Sequence, residues 1–400
     1  MRLAEYFRSV AAKRLSAVEA HPERSNQHEF NGVGTLRDML GDDRKELPTR
    51  FIYLTDNETA ITADGSCTWY DARENHPTRT EYRFYFPSNQ VMDMAASNDL
   101  ILFCLNNDGT MMIVIGPEGG TSDHQLQWLF DVQLAADNAR LVIGPAARME
   151  SEIGFAGQYI LEELGIELTA ETDDDLLQQM LDLFGGTFPT TAIFSDFARG
   201  TLTTINPLDG PDEALMTWFE QEEKLFRAYE KHIVSQRIKE GFGENGDDVD
   251  AFVKYSLSVL NRRKSRVGFA LENHLEKVFS GVGLDFSAQC KTENRKKPDF
   301  IFPGCAEYHG PNTNPDDLTM LGVKTTCKDR WRQVLSEAEK ITNKHLLTLE
   351  PGISLHQTDE MRDSNLQLVI PAQIHESYTQ QQQQGWLMNV GEFIELVKNK

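Results

Sequence analysis

Apolar and polar residues alternate in short runs through the first third of the chain, and this pattern predicts β-strands separated by turns. The turns carry signals such as NDG and PEGG. Five runs at this spacing predict a small barrel or pseudobarrel. They are RFIYLTD (50–56), SCTWYDA (66–72), EYRFYFP (81–87), DLILFCLN (99–106) and TMMIVIGP (110–117). Apolar residues at helical spacing predict one helix before these runs, within residues 1–20, and another after them, over 122–141.

The second half of the chain has a different pattern. A long helix is predicted over residues 212–241, ending at a glycine. From residue 247 the periods read helix, strand, strand, helix, strand, strand, helix, with the second of these helices over 328–345. A sheet flanked by helices is the architecture that such an order predicts.

A stretch rich in glycine, proline and threonine lies between the two patterns, at 184–213, and has the composition of a connector. We therefore predict three parts. Residues 1–185 form a mostly-β N-terminal domain with an acidic helical extension, 186–211 a linker, and 212–400 an α/β domain.

The composition describes a globular chain in which no apolar run approaches the roughly 18–20 residues that span a bilayer. The N-terminus mixes charges of both signs, unlike a signal peptide, so we expect a cytoplasmic protein without a membrane partner. The five cysteines are odd in number, scattered, and never in a CxxC pair. We therefore expect neither a disulfide framework nor a zinc site, and a reducing compartment.

The formal net charge of −23 at first argues against a partner that is itself a polyanion. Most of the acidic excess lies in residues 150–250, however, whereas basic residues cluster in NRRKSR (261–266) and NRKKPD (294–299). A local basic patch can contact the DNA backbone whatever the total charge of the chain. A solvated basic face is an equally good interpretation of the composition alone.

Three side chains of the second half form a candidate for phosphodiester hydrolysis. Asp299 begins a predicted strand, Lys324 ends a second one, and Glu337 lies at helical spacing from Arg330 and Gln333. Two carboxylates can hold Mg²⁺, which accepts few protein oxygens and stabilises the charge that develops on the phosphate. The lysine can position the nucleophile and neutralise charge. The spacing alone is weakly specific.

The stretches SVLNRRKSRVGFALENHLEKVF (258–279), RKKPDFIFP (295–303), AEYHG (306–310) and VKTTCKDRWRQVLSEAEKI (323–341) resemble the catalytic domain of EcoRII-type restriction endonucleases. The resemblance covers roughly residues 207–400. It implies a restriction-endonuclease-like PD-(D/E)xK fold. It also implies Mg²⁺-dependent cleavage of double-stranded DNA by a homodimer formed through the C-terminal domain.

Residue roles follow from the resemblance. Asp299 matches the family's metal-binding aspartate and Lys324 its lysine, while Gly322 stands where the usual acid would be. A glutamate on the following helix takes over that role in the family, and Glu337 matches it. Glu272 is a possible additional metal ligand, although an exposed helix residue is the more ordinary interpretation.

The segment CKDR (327–330) resembles the recognition segment of enzymes that read C:G-rich sites. Lys328 and Arg330 can donate to a guanine edge, and Asp329 can accept from cytosine. The basic run adds further candidates for DNA recognition: Arg262, Arg263 and Lys264. Tyr308 and His309 form an alternative nucleophile–base pair, but a tyrosine packed on the sheet is the better interpretation.

The first half resembles, more weakly, the N-terminal DNA-binding pseudobarrel of the same enzymes, in KRLSA (13–17), TRTEYR (78–83) and the paired strands that follow. The resemblance implies an effector domain that binds a second copy of the site and controls cleavage. The candidate DNA-binding residues are Arg79, Glu81, Arg83, Lys13, Arg14 and His28. An ordinary strand with alternating exposed charges is a serious alternative.

Three functions are consistent with the sequence. The first is a site-specific type II restriction endonuclease. The second is a modification-dependent nuclease whose N-terminal aromatic residues, including Trp69, Tyr70 and Tyr82, read modified DNA. The third is a DNA-binding regulator with an inactive nuclease fold, against which the intact Asp299, Lys324 and Glu337 argue.

Overall fold

The structure is a computed structural model of the 400-residue chain, and it forms two compact units. Unit 1 comprises Met1–Glu167 and Pro351–Thr358, and unit 2 comprises Leu168–Glu350 and Asp359–Lys400. The residues that the structure describes are 2–20, 28–30, 33–55, 60–76, 78–134, 142–151, 153–166, 174–327, 330–383 and 385–400.

Unit 1 is built on one eight-stranded sheet with the order β2-β5-β4-β3-β7-β6-β1-β8. Its strands are β1 (Phe7–Arg14), β2 (Glu29–Phe30), β3 (Lys45–Tyr53), β4 (Ile61–Asp71), β5 (Tyr82–Tyr85), β6 (Leu100–Asn106), β7 (Met111–Gly116) and β8 (Val142–Ile143). Five of these, β3 to β7, are the strands that the alternating pattern predicts. Neighbouring strands are antiparallel except β3 and β7, which run parallel.

The core of unit 1 is aromatic and aliphatic, and Phe51, Trp69, Phe84 and Phe103 are fully buried within it. Short helices surround the sheet. They are α1 (Ala17–Ala20), α2 (Val33–Leu40), α3 (Gln90–Met94), α4 (Thr121–Phe130), α5 (Ala146–Glu150) and α6 (Phe155–Glu163). Helix α4 ends earlier than predicted, because Asp131 adopts a left-handed conformation with φ +51°.

Strand β1 corrects one prediction, because residues 7–14 were expected to be helical. The strand pairs with β6 on one side and β8 on the other, and nearly all of its side chains are buried. Lys13 and Arg14 gave the stretch its amphipathic appearance, but both are buried and paired with acids inside the unit. A strand covered on both faces shows no alternation, so its period cannot be told from that of a helix.

Unit 2 contains a five-stranded sheet with the order β13-β12-β11-β10-β9. The strands are β9 (Ser287–Ala288), β10 (Phe300–Phe302), β11 (Thr319–Lys324), β12 (Lys344–Thr348) and β13 (Leu366–Val369). Strands β9, β10 and β11 are antiparallel, whereas β11, β12 and β13 are parallel. The parallel pairs need crossover connections, which α12 and α13 provide.

Two helices of unit 2 are long, at residues 211–240 and 249–281. The first of them ends at Gly241 (φ +74°), as predicted. The helices are α7 (Asp174–Phe184), α8 (Thr191–Gly200), α9 (Pro211–Glu240), α10 (Val249–Gly281), α11 (Cys305–His309), α12 (Trp331–Val334), α13 (Leu355–Asp363), α14 (Gln380–Gln383) and α15 (Val390–Lys398). The first four residues of α13 are counted with unit 1 and the rest with unit 2. None of the helices in the described part of the chain is long and apolar enough to span a bilayer.

The two units differ from the predicted domains. Helix α7 was expected in the N-terminal extension and α8 in the linker, yet both belong to unit 2. Met180 of α7 and Phe194 of α8 are buried in one cluster with Leu225 and Tyr229 of α9. The glycine and threonine content of 186–211 concealed this apolar helix face.

A second difference is the disulfide between Cys290 and Cys305, because a disulfide framework was not expected from the scattered cysteines. The two cysteines are 15 residues apart and connect the end of β9 to the start of α11. Cys67, Cys104 and Cys327 are free and buried. The separation in sequence gave no signal, because the pairing depends on the antiparallel turn of the chain between β9 and β10.

Candidate active site

The antiparallel pairing of β10 and β11 brings Asp299 and Lys324 together. Phe300 pairs with Leu321, so the register continued by one residue sets Asp299 opposite Gly322. The Lys324 ammonium donates to Asp299 Oδ2 at 3.0 Å, and the backbone N–H of Val323 donates to the same oxygen at 2.6 Å. Asp299 is therefore fixed from two directions at the edge of the sheet.

Gly322 explains why the usual acid is absent from β11. A Cβ at this position would meet the two methyl carbons of Val334 at 2.9 and 3.0 Å, closer than real Cβ contacts. Val334 belongs to α12 and is fully buried. The segment after β11 thus packs directly on the strand backbone, in the space that an acidic side chain would need.

Glu337 lies three residues beyond Val334, but not on a helix as predicted. Helix α12 is one turn long and ends at Val334, and the chain then turns, with Ala338 at φ +46°. Glu337 lies close enough to Asp299 and Lys324 for their charges to act on its carboxyl. Its Oε2 is buried and makes no hydrogen bond within the described residues.

Glu272 approaches the same place from α10. Gln289 connects it to the strand pair, because its Nε2 donates to Asp299 Oδ1 at 3.0 Å and to Glu272 Oε2 at 3.3 Å. Glu272 is half-buried, so the ordinary interpretation of an exposed helix residue does not describe it. Sequence reasoning missed Gln289, which adopts a left-handed φ of +53°.

Lys344 is a second lysine that sequence reasoning missed. It begins β12, is buried, and directs its ammonium at the carbonyl oxygens of the turn that carries Glu337. Its position at the start of an apolar strand, KHLLTLEPG, was the available signal, since a buried strand seldom begins with an unpaired charge.

The surroundings of two of these acids, Glu272 and Glu337, raise their pKa values. Burial raises the pKa of the Glu272 carboxyl to about 7, and the negative charge of Asp299 adds to the rise. Burial likewise raises the pKa of Glu337 to about 7; Lys324 opposes that rise and Asp299 adds to it. Among the described residues, these three carboxylates share one salt-bridged lysine, Lys324, and the buried Oε2 of Glu337 makes no hydrogen bond. Such a donor set of oxygens fits a divalent cation such as Mg²⁺.

Tyr308 is not placed to act as a nucleophile. Its ring is fully buried, and its hydroxyl donates to Glu293 Oε2 at 2.5 Å. Burial, with the hydrogen bond to Glu293, raises the pKa of the phenol above its usual value. The neighbouring His309 contacts the carbonyl of Lys291 rather than the tyrosine hydroxyl. The alternative pair is therefore a packing element of the sheet.

The predicted DNA-recognition residues of the second half differ in whether the structure describes them and in their exposure. Lys328 and Asp329 lie outside the described residues. Arg330 is exposed, and its guanidinium donates to the carbonyl of Thr326 at 2.9 Å and to the hydroxyl of the same residue. Lys264 is exposed on α10.

The basic run 261–266 is largely occupied within unit 2. Arg263 donates to Glu230 at 2.5 Å, and the guanidinium of Arg262 lies 4.4 Å from the centre of the Phe188 ring. Arg266 is buried and paired with Glu222 and Glu223. Two of the three recognition candidates in this run, Arg262 and Arg263, thus have internal partners, which the sequence could not show because the acids lie on α9.

In unit 1 the candidates also separate into buried and accessible residues. The Lys13 side chain is fully buried and paired with Glu19, and Arg14 donates to Asp123 at 2.7 Å. These two are structural ion pairs and cannot read bases. His28 is half-buried against the rings of Tyr85 and Phe86.

The remaining candidates of unit 1 lie in or beside β5. Arg79 is exposed. Glu81 accepts from Arg83 at 2.7 Å and from Arg73 at 2.5 Å, and these arginines lower its pKa. Arg83 also reaches Glu29 at 3.1 Å. This charged group is accessible, and its acids and bases are paired with one another.

Part of the chain is similar to known proteins. Residues 226–394 match the family model described as EcoRII C terminal. The type II restriction enzyme EcoRII of Escherichia coli is 47% identical over 190 residues, which cover 47% of this chain and 46% of that protein. The type II restriction enzyme SsoII of Shigella sonnei is 27% identical over 124 residues, covering 28% of this chain and 40% of that protein. The matches thus span less than half the length of either relative.

Two solved structures are also similar. Metal-depleted Ecl18kI in complex with uncleaved, modified DNA has a TM-score of 0.46 at 18% identity, covering 58% of this chain and 85% of that chain. The complex of the restriction endonuclease PspGI with substrate DNA has a TM-score of 0.44 at 15% identity, covering 53% and 95%.

The sheet of unit 2, with an aspartate and a lysine on adjacent strands and glutamates beside them, defines a restriction-endonuclease-like α/β domain. Residues 226–394, which include this sheet, are similar to the EcoRII C-terminal family.

Proposed function

We propose that the protein is a type II restriction endonuclease that hydrolyses double-stranded DNA at a C:G-rich site and depends on Mg²⁺. The observation that carries the proposal is the convergence of Asp299, Lys324 and Glu337, with Glu272 beside them, inside a segment that matches the EcoRII C-terminal family. Within the described residues, the buried Oε2 of Glu337 makes no hydrogen bond, which leaves it available to a cation.

The proposed roles follow from the geometry. Asp299 and Glu337 would hold the metal ion, with Glu272 as a further ligand. Magnesium, when bound there, would stabilise charge on the phosphate and lower the pKa of a bound water. Lys324 keeps its ammonium on Asp299 and is one-fifth exposed, so it can add its charge to that of the phosphate. Gln289 would hold Asp299 and Glu272 in their relative positions.

The proposed partners are DNA and a second copy of the chain. Cutting both strands of a duplex requires two sites, and the described chain brings together one such cluster, so we propose a homodimer formed through the C-terminal domain. Arg330, with Lys328 and Asp329, would read the C:G-rich core. Unit 1 would act as the effector domain, with Arg79, Glu81 and Arg83 as its DNA-contacting residues. The setting proposed is restriction–modification defence in the cytoplasm.

The experiment that tests the function is digestion of plasmid DNA followed by sequencing of the ends. We expect discrete cuts at one C:G-rich sequence with Mg²⁺ and none with EDTA. Asp299→Ala should abolish cutting, whereas Asp316→Ala, which removes an exposed acid of the same unit, should not. Full cutting by a folded Asp299→Ala protein would contradict the assignment of the metal site.

The modification-dependent alternative gains no support from the aromatic residues on which it depended. Trp69 is fully buried and stacks on Tyr82 at 5.1 Å between ring centres. Comparing cleavage of unmodified plasmid with cleavage of modified phage DNA separates the two functions, because the alternative requires cutting of the modified DNA alone.

A further inference from the structure

Lys344 is a charged residue in an unusual position. It is the first residue of β12, the strand between β11 and β13, and only 6% of its surface is exposed. Burying an ammonium group is costly unless the charge is paired and all three donors are satisfied. The contacts that satisfy Lys344 therefore indicate why the protein keeps a lysine there.

All three contacts are made with one turn of the chain. Lys344 Nζ donates to the carbonyl oxygens of Glu337 at 2.7 Å, Ala338 at 3.0 Å and Ile341 at 2.7 Å. An ammonium has three donors, so these three carbonyls use its whole capacity. The ammonium thus gathers the backbone of residues 337–341 around a single point inside unit 2.

Other hydrogen bonds hold the turn further along: the N–H of Glu339 donates to Glu293 Oε2 at 3.2 Å, and the Lys340 ammonium donates to the Tyr308 carbonyl at 2.8 Å. Glu337 lies before these contacts. Helix α12 ends at Val334, and the backbone N–H of Glu337 donates to the Val334 carbonyl at 3.0 Å. The next residue, Ala338, is in the left-handed region, which a residue with a side chain adopts only at a cost. The bond from Lys344 to the Glu337 carbonyl therefore acts on the residue whose side chain lies near Asp299.

We propose that Lys344 is a positioning residue, which holds the backbone of Glu337 so that its carboxylate faces Asp299 and Lys324. This inference rests on the proposed function, because the position of Glu337 matters for a metal ion. In the described part of the chain, Lys344 makes no hydrogen bond with the carboxylates of Asp299 or Glu272. It can therefore affect a bound metal ion only through the turn that carries Glu337. Replacing outer partners of this kind typically lowers metal affinity or activity by roughly 10- to 100-fold.

The test measures Mn²⁺ binding by the electron paramagnetic resonance of the free ion, alongside plasmid cleavage. Lys344→Met should weaken Mn²⁺ binding by roughly 10- to 100-fold, whereas Lys277→Met, which removes an exposed lysine of α10, should not. Lys344→Arg keeps the charge but replaces three convergent donors with a planar fork, so it should recover only part of the affinity. It also provides a folded variant if the methionine variant is unstable, which thermal unfolding will show.

A double-mutant cycle with Glu337→Gln identifies the route of the effect. In that background Lys344→Met should cost little more, because the ligand that it positions is already lost. An equal loss of Mn²⁺ affinity in both backgrounds overturns the proposal, and so does wild-type affinity in Lys344→Arg, which would show that charge suffices. If the wild-type protein shows no Mn²⁺ binding that depends on Asp299, the proposed function fails whatever the Lys344 variants do.

Discussion

Gly322 and Val334 decide how the acidic group of the site is assembled. An acid at position 322 would extend from the strand that also carries Lys324, and would face the same side of the sheet as Asp299. The methyl groups of Val334 occupy that space, and the chain that carries Val334 continues to Glu337. The absence of an acid at position 322 and the presence of Glu337 near Asp299 are thus both consequences of the packing of Val334 on Gly322.

Gly322→Ala should therefore destabilise the protein. The added methyl overlaps a buried valine, and overpacking of this kind costs roughly 1–3 kcal/mol, measurable by urea unfolding. Gly268→Ala is the matched control: a Cβ there meets nothing within 4 Å, and alanine favours a helix, so stability should stay or rise. Combining Gly322→Ala with Val334→Ala should cost less than the sum of the two changes. Strict additivity would contradict the contact.

The glutamates of the site give the protein a pH dependence of defined sign. Both pKa values rise to about 7, so between pH 4.5 and 7 the folded metal-free protein keeps protons that the unfolded chain has lost. Their contribution to the free energy of unfolding therefore falls as the pH rises through this range. A divalent cation held as proposed would bind the deprotonated acids, so its effect on stability would have the opposite sign.

We therefore expect Mg²⁺ to raise the melting temperature more at pH 8 than at pH 6. Thermal unfolding at pH 6, 7 and 8, with and without Mg²⁺, measures the difference. Glu337→Gln should reduce the pH dependence of the Mg²⁺ effect, since one of the two titrating acids is then absent. An equal Mg²⁺ effect at pH 6 and pH 8 would show that these acids do not govern binding.

Among the elements, the short strands β9 and β10 are joined to α11 by a covalent link. The disulfide between Cys290 and Cys305 closes a loop with a sequence separation of 15 residues that includes Asp299. A crosslink over such a loop restricts the unfolded chain and contributes about 3 kcal/mol in the entropy model. The other three cysteines are buried, and burial raises the pKa of each thiol, to about 12 for Cys67 and higher for Cys104 and Cys327.

Reduction should thus lower the free energy of unfolding by about 3 kcal/mol, measured by urea unfolding with and without dithiothreitol. The variant with both Cys290→Ser and Cys305→Ser should show no effect of the reductant. Thiol titration of the non-reduced protein should detect three groups after unfolding, since three cysteines are free. Five reactive thiols before any reductant is added would show that the pair is not bonded.

The sequence predicts an element well when local periodicity and turn residues determine its type and ends. It predicts an element poorly when contacts with residues distant in sequence determine where the element ends. Strands β3 to β7, the end of α9 and the pairing of Asp299 with Lys324 all follow from period and turn signals. The end of the helix after Lys324 does not, because the chain turns after Val334 and Ala338 adopts a left-handed conformation. Local periodicity contains no information about such a turn.

Across the whole molecule, charge was the least reliable guide. The net charge of −23 and the basic run 261–266 count charged side chains, but many of these are paired with residues distant in the sequence. Arg266 is paired with Glu222 and Glu223, which lie more than 40 residues earlier in the sequence. Some acids of the acidic middle of the chain are therefore engaged in internal ion pairs. Lys13 and Arg14 are a second instance, in unit 1. Counts of charge do not distinguish a surface patch from an internal ion pair.

The order of the site residues along the chain has a consequence for folding. Gln289, Asp299, Lys324, Glu337 and Lys344 all lie in the single stretch 289–344, and only Glu272 comes from outside it. The entropy lost in closing a loop grows slowly with its length and is smallest for near neighbours. Low sequence separation also favours fast formation of contacts. The candidate active-site group can therefore form early, as one antiparallel pair with its following turn, before β13 completes the sheet.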